Sequence, residues 1–444
     1  MSRPRIAFTT LGCKVNQSET ELMARDFAAA GYERVPFEGP ADVYVVNTCT
    51  VTHVADRKSR QLLNAAQREN PDAIVVATGC YASVVGQALA GEQRLIVRNR
   101  DKDKLVALVE GRLDRQPADV PLFSELEKYG SALPAGTEAR PRSADRARAM
   151  VKAQDGCDSH CTYCIIPRAR GRSRSVPPEQ VLERVRVLAA EGHGEVVITG
   201  VDLGSYGEDD TSMPDLGGLL GQVLEHTDVG RIRVSSLEPG DFDPKWLALW
   251  DNPRLCRHLH VPLQSGSSGV LQRMERRYTP SQFADMVGQC REAIPDLTIT
   301  TDVMVGFPGE TAEEFDEGYH FIRDIGFDGM HVFKYSQRSG TRAARIPDQV
   351  TESQKQERSQ LLREEAHAGM ARLVARHEGR LADVVWESEH DGIWRGLTDT
   401  NVRVYGSAAV GAPCRPAAVR LQGAFRDGLW AEGAQVELTL LPVS

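Results

Sequence analysis

Polarity along this chain changes regime three times, and each regime predicts its own elements. In residues 1–112, short apolar runs alternate with amphipathic stretches. Arg5-Ile6-Ala7-Phe8-Thr9-Thr10 predicts a strand. Ser18 and Glu21, in capping-box spacing, predict a helix running to Ala30 and ended by Gly31. Val43-Tyr44-Val45-Val46-Asn47 and the apolar run 73–77 predict two further strands around a helix at 55–69. Strands alternating with helices predict a parallel, doubly wound sheet. Residues 113–148 hold Pro117, Pro121, Pro134, Gly136 and Pro141 with little apolar period, and predict an irregular linker. Residues 149–372 return to alternation, with strands at 150–152, 195–200, 231–236, 258–261, 298–304 and 330–336. Helices are expected at 178–190, 215–226, 245–250, 282–294 and 312–325. Six strand–helix units predict a partial α/β barrel with its chemistry at the C-terminal strand ends. A long helix at 353–377 then leaves that barrel. Runs at 382–387, 393–398, 402–404, 417–421 and 435–440 predict a small C-terminal antiparallel β-barrel within 373–444. The fold class read from this pattern is α/β.

A length of 444 residues suits this division into several domains. The N-terminus MSRPRIAFTT has no apolar signal core, and no stretch approaches the length of a membrane span. A cytoplasmic location with no membrane partner is therefore expected. Nine cysteines in such a protein argue for metal or redox use rather than a disulfide frame. The net charge of −9 argues against nucleic acid at first sight, but only local charge contacts phosphate. Arg140, Arg142, Arg146, Arg148 and Lys152 precede a three-cysteine loop, and Arg168, Arg170, Arg172 and Arg174 follow it. Only Asp145, Asp155 and Asp158 oppose them. This patch is either a solvated face, the commoner meaning of a charge run, or an RNA-phosphate surface.

That loop, Cys157-Asp158-Ser159-His160-Cys161-Thr162-Tyr163-Cys164, reads C-x3-C-x2-C after Gly156. Three thiolates can hold three irons of a four-iron cluster and leave one iron open for a substrate. Zinc would need a fourth ligand, and His160 adjoins Cys161 too closely to share the ion. A disulfide with a spare thiol would need an oxidising compartment. Cys13, Cys49 and Cys80 each sit just past the C-terminal end of a predicted parallel strand, where such sheets bind ligands. They are expected to converge, again as three, with Gly12 and Gly79 allowing tight turns. The other reading is three buried cysteines. Cys256 and Cys290 lack partner spacing and read as structural, and Cys414 as a spare residue of the tail. His258 and His260 share a strand face but lack a carboxylate or third ligand for a metal.

The aromatic Tyr163 before the third cysteine completes a loop that resembles the radical S-adenosylmethionine (SAM) enzymes. In that family the open iron chelates the amino and carboxylate groups of SAM, and one electron cleaves SAM to methionine and a 5′-deoxyadenosyl radical. The resemblance spans residues 149–372. It implies that Tyr163 borders the SAM adenine through its backbone. It also implies that Gly200, Asp202, Glu238, Gln264, Ser265 and the glycines Gly306 and Gly309 of the GFPGE turn line the SAM and substrate cavity. Ser267 and Arg338 are further candidates. The run from Leu11 to Glu21, with Asn47-Thr48-Cys49 and Thr78-Gly79-Cys80, resembles the N-terminal domain of the methylthiotransferases, radical SAM enzymes with two 4Fe–4S clusters. The tail resembles the RNA-binding TRAM domain by position, although its acids slightly outnumber its arginines. LGCKVNQSE resembles the branch acting on threonylcarbamoyladenosine in tRNA (MtaB-type). The branches acting on isopentenyladenosine and on an Asp of a ribosomal protein, with GCQMN-like and GCPKN-like runs there, are the alternatives. The resemblance implies methylthiolation at C2 of a modified adenine next to the anticodon. Cys157, Cys161 and Cys164 would hold the SAM-binding cluster, and Cys13, Cys49 and Cys80 a cluster carrying the sulfur. The implied partners are a tRNA anticodon stem-loop and an electron donor such as flavodoxin or ferredoxin; the sulfur source is unknown.

Overall fold

A computed structural model describes residues 3–114, 147–407 and 416–432. The first unit is a five-stranded sheet of β1 (Arg5–Thr10), β2 (Glu33–Val35), β3 (Val43–Thr48), β4 (Ile74–Thr78) and β5 (Arg94–Ile96). All its pairings are parallel, in the order β2-β1-β3-β4-β5. The two-residue period of its strands feeds two cores. Ile6, Val43, Val45, Ile74 and Val76 face one layer of helices, and Ala7, Tyr44, Val46, Val75 and Ala77 face the other. This is the doubly wound sheet predicted from the pattern. The first helix corrects the expectation, because it spans Lys14–Ala29 and its N-cap is Cys13. Ser18 and Glu21 therefore lie inside it. Ser18 is buried and its Oγ donates to the Met150 carbonyl at 3.0 Å, so it cannot cap a helix. The edge strands β2 and β5 were not predicted, being three residues long and without a buried apolar run.

The central unit carries β6 (Arg148–Lys152), β7 (Gln154–Asp155), β8 (Arg174–Ser175), β9 (Glu195–Thr199), β10 (Arg231–Val234), β11 (His258–His260), β12 (Thr298–Val305) and β13 (Gly329–Lys334). Two parallel three-stranded sheets, β10-β9-β6 and β11-β12-β13, meet through bridges Ile232–Leu255 and Ser236–His260. Alternate residues such as Val151, Val196, Ile198, Ile232, Leu259 and Ile299 pack against the outer helices. The intervening Glu195, Arg233, His258 and Thr300 form the polar opposite face. The six-strand partial barrel follows from this alternation. The antiparallel pair β7–β8 closes the base of the loop holding Cys157, Cys161 and Cys164.

The helix Glu352–His377 leads to a closed barrel of β14 (Leu381–His390), β15 (Ile393–Thr398), β16 (Arg403–Ser407), β17 (Ala417–Phe425) and β18 (Gly428–Glu432). Its pairings are antiparallel except for the parallel β16–β18 contact. The expected strand at 435–440, Cys414 and most of the linker lie outside the described residues. The small barrel docks where the central strands begin. Arg231 and Arg233 donate to the carbonyls of Leu397 and Thr398, each at 2.9 Å. Glu195 accepts from Arg233 at 2.7 Å beneath them. The tail thus covers the end of the central barrel opposite the cysteine loop.

Candidate functional site

The Cys157–Cys164 loop is held at both ends. The Cys157 N–H donates to the Gly171 carbonyl at 3.2 Å, and Gly156 has φ +75°. A Cβ on Gly156 would lie 1.9 Å from the Arg172 carbonyl oxygen, so only glycine lets the outgoing and returning strands approach. At the far end Thr162 donates from its N–H to the Met274 carbonyl at 3.0 Å and from Oγ1 to the Arg273 carbonyl at 2.9 Å. Around the thiols, Cys157 Sγ lies 3.1 Å from Asp202 Oδ2, and Arg276 Nη1 donates to Cys161 Sγ at 3.4 Å. Burial, with smaller effects from neighbours, pushes the Cys164 thiol up to about 12. The Cys157 thiol is raised by burial and by Asp202.

Topology assembles the second triad. Thr10, Asn47 and Thr78 stand in one register row across β1, β3 and β4. Cys13, Cys49 and Cys80 follow within three residues of that row, on one crest. Gly12 has φ +96°, and a Cβ there would lie 2.9 Å from Cys49 Sγ. Gly79 has φ +93° and bridges to Thr48, and a Cβ there would lie 2.3 Å from the Thr48 carbonyl oxygen. Burial first, then the neighbouring thiols of Cys80 and Cys13, push Cys49 up to about 11. Cys49 and Cys80 are buried, and Cys13 is exposed at the rim. Cys256 and Cys290 are both buried, Cys256 with its Sγ 3.7 Å from Glu195 Oε2.

Residues 151–322 match the Radical SAM superfamily, and residues 5–97 match an uncharacterised protein family, UPF0004. A threonylcarbamoyladenosine tRNA methylthiotransferase, MtaB, of Bacillus subtilis is 40% identical over 90% of this chain and 89% of its own length. The MtaB of Aquifex aeolicus is 41% identical over 81% of this chain and 87% of its own. The chain belongs to the MtaB-type methylthiotransferase family. A tRNA-2-methylthio-N(6)-dimethylallyladenosine synthase of Bacillus pumilus, at 35% identity over 86% of this chain and 75% of its own, is more distant. The radical SAM methyltransferase TsrM of Kitasatospora setae, solved with cobalamin and a [4Fe–4S] cluster, superposes with a TM-score of 0.56. At 16% identity over 77% of each chain, that likeness speaks for the fold.

Methylthiotransferases of this type use SAM and [4Fe–4S] clusters, and the donor sets fit them. Each triad offers three thiols, and among the described residues the other two cysteines, Cys256 and Cys290, belong to neither. Beside Cys157, Asp202 Oδ1 and Asp241 Oδ2 are both buried without a donor, and burial first, then the neighbouring Asp202, pushes the Asp241 carboxyl up to about 6. Gly200 leaves space in which a Cβ would come within 2.9 Å of Gln154 Oε1. Glu238 pairs with Arg276, and both line a cavity with Ser159, Cys161 and Tyr278. Tyr163 packs edge-on to Phe307, ring centroids 6.4 Å apart.

The other candidates take different places. Gln264 is held at φ +60° just past β11, accepting from the Met304 N–H at 2.8 Å, and Ser265 beside it is buried. Gly306 donates to Glu310 Oε2 at 2.6 Å and Gly309 to the Asp348 carbonyl at 2.6 Å, so this turn is fixed by its own surroundings. Ser267 donates to Glu317 at 2.8 Å. Arg338 is buried against Asp56 and Thr50, at 2.5 and 2.8 Å. The basic patch needs a correction. Arg168, Arg172 and Arg174 are exposed, but Arg170 is 4% exposed and held by Glu19, Asp155 and Asn16, so it cannot meet phosphate. Arg148 pairs with Glu387 and Lys152 with Glu19. His258 is hydrogen-bonded through Nε2 to Thr300 Oγ1 at 2.9 Å, whereas His260 gains two other neighbours from the fold. Asp302 Oδ1 lies 3.3 Å from His260 Nε2 and 3.1 Å from His331 Nδ1, a cluster that neighbouring strands bring together. Sequence reasoning missed Arg276, Gln154 and Glu19. Arg276 in the run Met274-Glu275-Arg276-Arg277-Tyr278 had a signal, two cations beside an aromatic, but no spacing tied it to the cysteines.

Proposed function

We propose that this chain adds a methylthio group to C2 of N6-threonylcarbamoyladenosine next to the anticodon of tRNA. In this reading Cys157, Cys161 and Cys164 hold the SAM-binding cluster, and Cys13, Cys49 and Cys80 hold the cluster that carries sulfur. The observation that carries it is the pairing of two three-thiol sites with 40% identity over 90% of the chain to a protein named for that reaction. When bound, the SAM cluster and SAM supply one-electron cleavage and a radical able to take hydrogen from an unreactive C–H bond. The protein's share is positioning. Asp202, Glu238 and Arg276 offer charge and hydrogen bonds around the thiol loop, and Gly156 and Gly200 admit the close approach of Arg172 and Gln154 that shapes it. The target base must be splayed from its loop to reach this crest. In this reading the exposed Arg168, Arg172 and Arg174 meet the RNA backbone. The expected setting is the cytoplasm, with a flavodoxin- or ferredoxin-type protein as the electron donor.

Mass spectrometry of tRNA nucleosides from cells with and without the gene tests the proposal. Loss of 2-methylthio-threonylcarbamoyladenosine is expected. Loss of the dimethylallyl nucleoside alone would move the chain to the branch of its 35%-identical relatives. An unchanged nucleoside profile would sink the RNA reading.

A further inference from the structure

One buried side chain touches the surroundings of both cysteine sites. The helix Ile166–Arg170 starts two residues after Cys164 and packs on Gly79–Val85, the helix that carries Cys80. Asn99 spans the two, donating to the Ala169 carbonyl at 2.9 Å and lying 3.8 Å from Cys80 Sγ. Arg170, the last residue of its helix, is 4% exposed. Its Nη1 donates to Asp155 Oδ1 at 2.7 Å and Glu19 Oε1 at 2.9 Å. Its Nη2 donates to Asn16 Oδ1 at 2.5 Å and Glu19 Oε2 at 3.2 Å. Asp155 stands two residues before Cys157, while Asn16 and Glu19 stand in the helix capped by Cys13. A guanidinium has its donors in a rigid plane, so contacts on both edges fix orientation as well as distance.

The same cluster carries charge. Lys102 and Lys152 also pair with Glu19, and Lys152 lies 3.7 Å from Asp155. With Arg174 3.5 Å from Asp155, four cations face two carboxylates, and the surplus is positive. Burial works against the Glu19 carboxylate, but Arg170, Lys102 and Lys152 overcome it and hold Glu19 ionised. The surplus lies beside the N-terminal thiols: Arg170 holds Asn16, three residues after Cys13, at 2.5 Å, and Asn99 joins the neighbouring Ala169 carbonyl to Cys80 Sγ.

We propose that Arg170 is the positioning residue that sets the Cys13–Cys49–Cys80 site against the SAM-cluster loop and places a buried positive charge beside it. This rests on the reading that the N-terminal cysteines hold a cluster. Sulfur transfer after hydrogen abstraction requires the two sites to stay in fixed register, since a misplaced acceptor radical is quenched without product. A positive charge nearby also favours the more negative, reduced cluster and raises its potential.

The test uses the reconstituted enzyme with both clusters and compares wild type, Arg170→Gln, Arg170→Lys and Asp155→Asn. Three quantities are read: iron per chain, the potential of the N-terminal cluster by EPR titration, and 5′-deoxyadenosine formed per methylthio group transferred. Arg170→Gln is expected to keep its iron and its SAM cleavage, to waste about tenfold more SAM per product, and to show a lower potential. Arg170→Lys restores the potential and not the coupling, because an ammonium lacks the fork. Asp155→Asn keeps the arginine and removes a negative charge, so its potential shifts upward; this opposite sign serves even if Arg170→Gln does not fold. Wild-type coupling and potential in Arg170→Gln, or a downward shift in Asp155→Asn, overturn the proposal. A wild-type chain with only about four irons would remove the two-cluster reading itself.

Discussion

The Cys157–Cys161–Cys164 triad occupies eight consecutive residues, whereas Cys13, Cys49 and Cys80 come from three separate strand ends. The first is a local object. Its spacing is written in one loop, and the β7–β8 pair with Gly156 closes the base. The second exists only once β1, β3 and β4 are in register. This contrast predicts that the sites fail differently. Cys157→Ala should abolish both SAM cleavage and methylthiolation. Cys49→Ala should leave about half the iron and keep SAM cleavage, but lose methylthiolation. Iron analysis with separate assays of 5′-deoxyadenosine and modified tRNA checks both. Full iron in Cys49→Ala would break the convergence of the N-terminal triad.

The glycines sharpen the same contrast with a smaller effect. At Gly156 a Cβ would strike backbone at 1.9 Å, which nothing nearby can relieve. Gly156→Ala should displace the loop and lower the SAM cleavage rate about a hundredfold. At Gly12 the obstacle is the Cys49 side chain at 2.9 Å, which can shift. Gly12→Ala should leave SAM cleavage intact and reduce methylthiolation alone. Equal loss of both activities in the two variants would mean that the sites are not separable.

The legibility of the sequence follows the same division. The cysteine loop needed only spacing, and the crest needed only strand–helix alternation, because parallel strands bring their C-terminal ends together. Arg170 was misread for a physical reason. Its neighbours Arg168, Arg172 and Arg174 are exposed, and nothing local reveals that Glu19, some 150 residues earlier, lies opposite. The same limit hid Arg276 beside Cys161 and Asp302 between two histidines. The start of the first helix was missed because Cys13 holds the N-cap position without a side-chain hydrogen bond, so no Ser, Thr, Asp or Asn marks it.

The far end of the barrel provides a region where neither triad should respond. Glu195 is fully buried among Arg233, Arg231 and Arg148 beneath the tail. Burial opposes its ionisation, but these arginines, Arg233 foremost, win and lower it from 4.5 to about 2. A depressed carboxylate stabilises the fold above its unfolded pKa, and that stability is lost as pH falls through the folded value. Glu195→Gln should therefore cost about 3 kcal/mol at neutral pH, seen as a lower Tm. The gap from wild type should close between pH 4.5 and about 2. SAM cleavage measured below the melting range should be unchanged. A loss of cleavage there would tie the tail to the chemistry.

The smallest effect separates the two kinds of arginine in one short run. Arg168, Arg172 and Arg174 reach water, and the ion pairs of Arg172 with Asp158 and Arg174 with Asp155 are long, each 3.5 Å. Such exposed pairs contribute little to stability, so these side chains are available to phosphate. Each charge that meets an RNA phosphate releases bound counterions. Replacing it with Ala should lower the slope of log affinity against log salt by about 0.7 for single-stranded RNA and leave the Tm within about 1 °C. Arg170 is already committed to Glu19 and Asp155, so Arg170→Gln should leave that slope unchanged while it alters coupling between the cysteine sites. Binding of an anticodon stem-loop at several salt concentrations reads the difference directly. A reduced slope in Arg170→Gln would place its guanidinium at the RNA, and an unchanged slope in the Arg168, Arg172 and Arg174 variants would leave the tRNA to be held elsewhere.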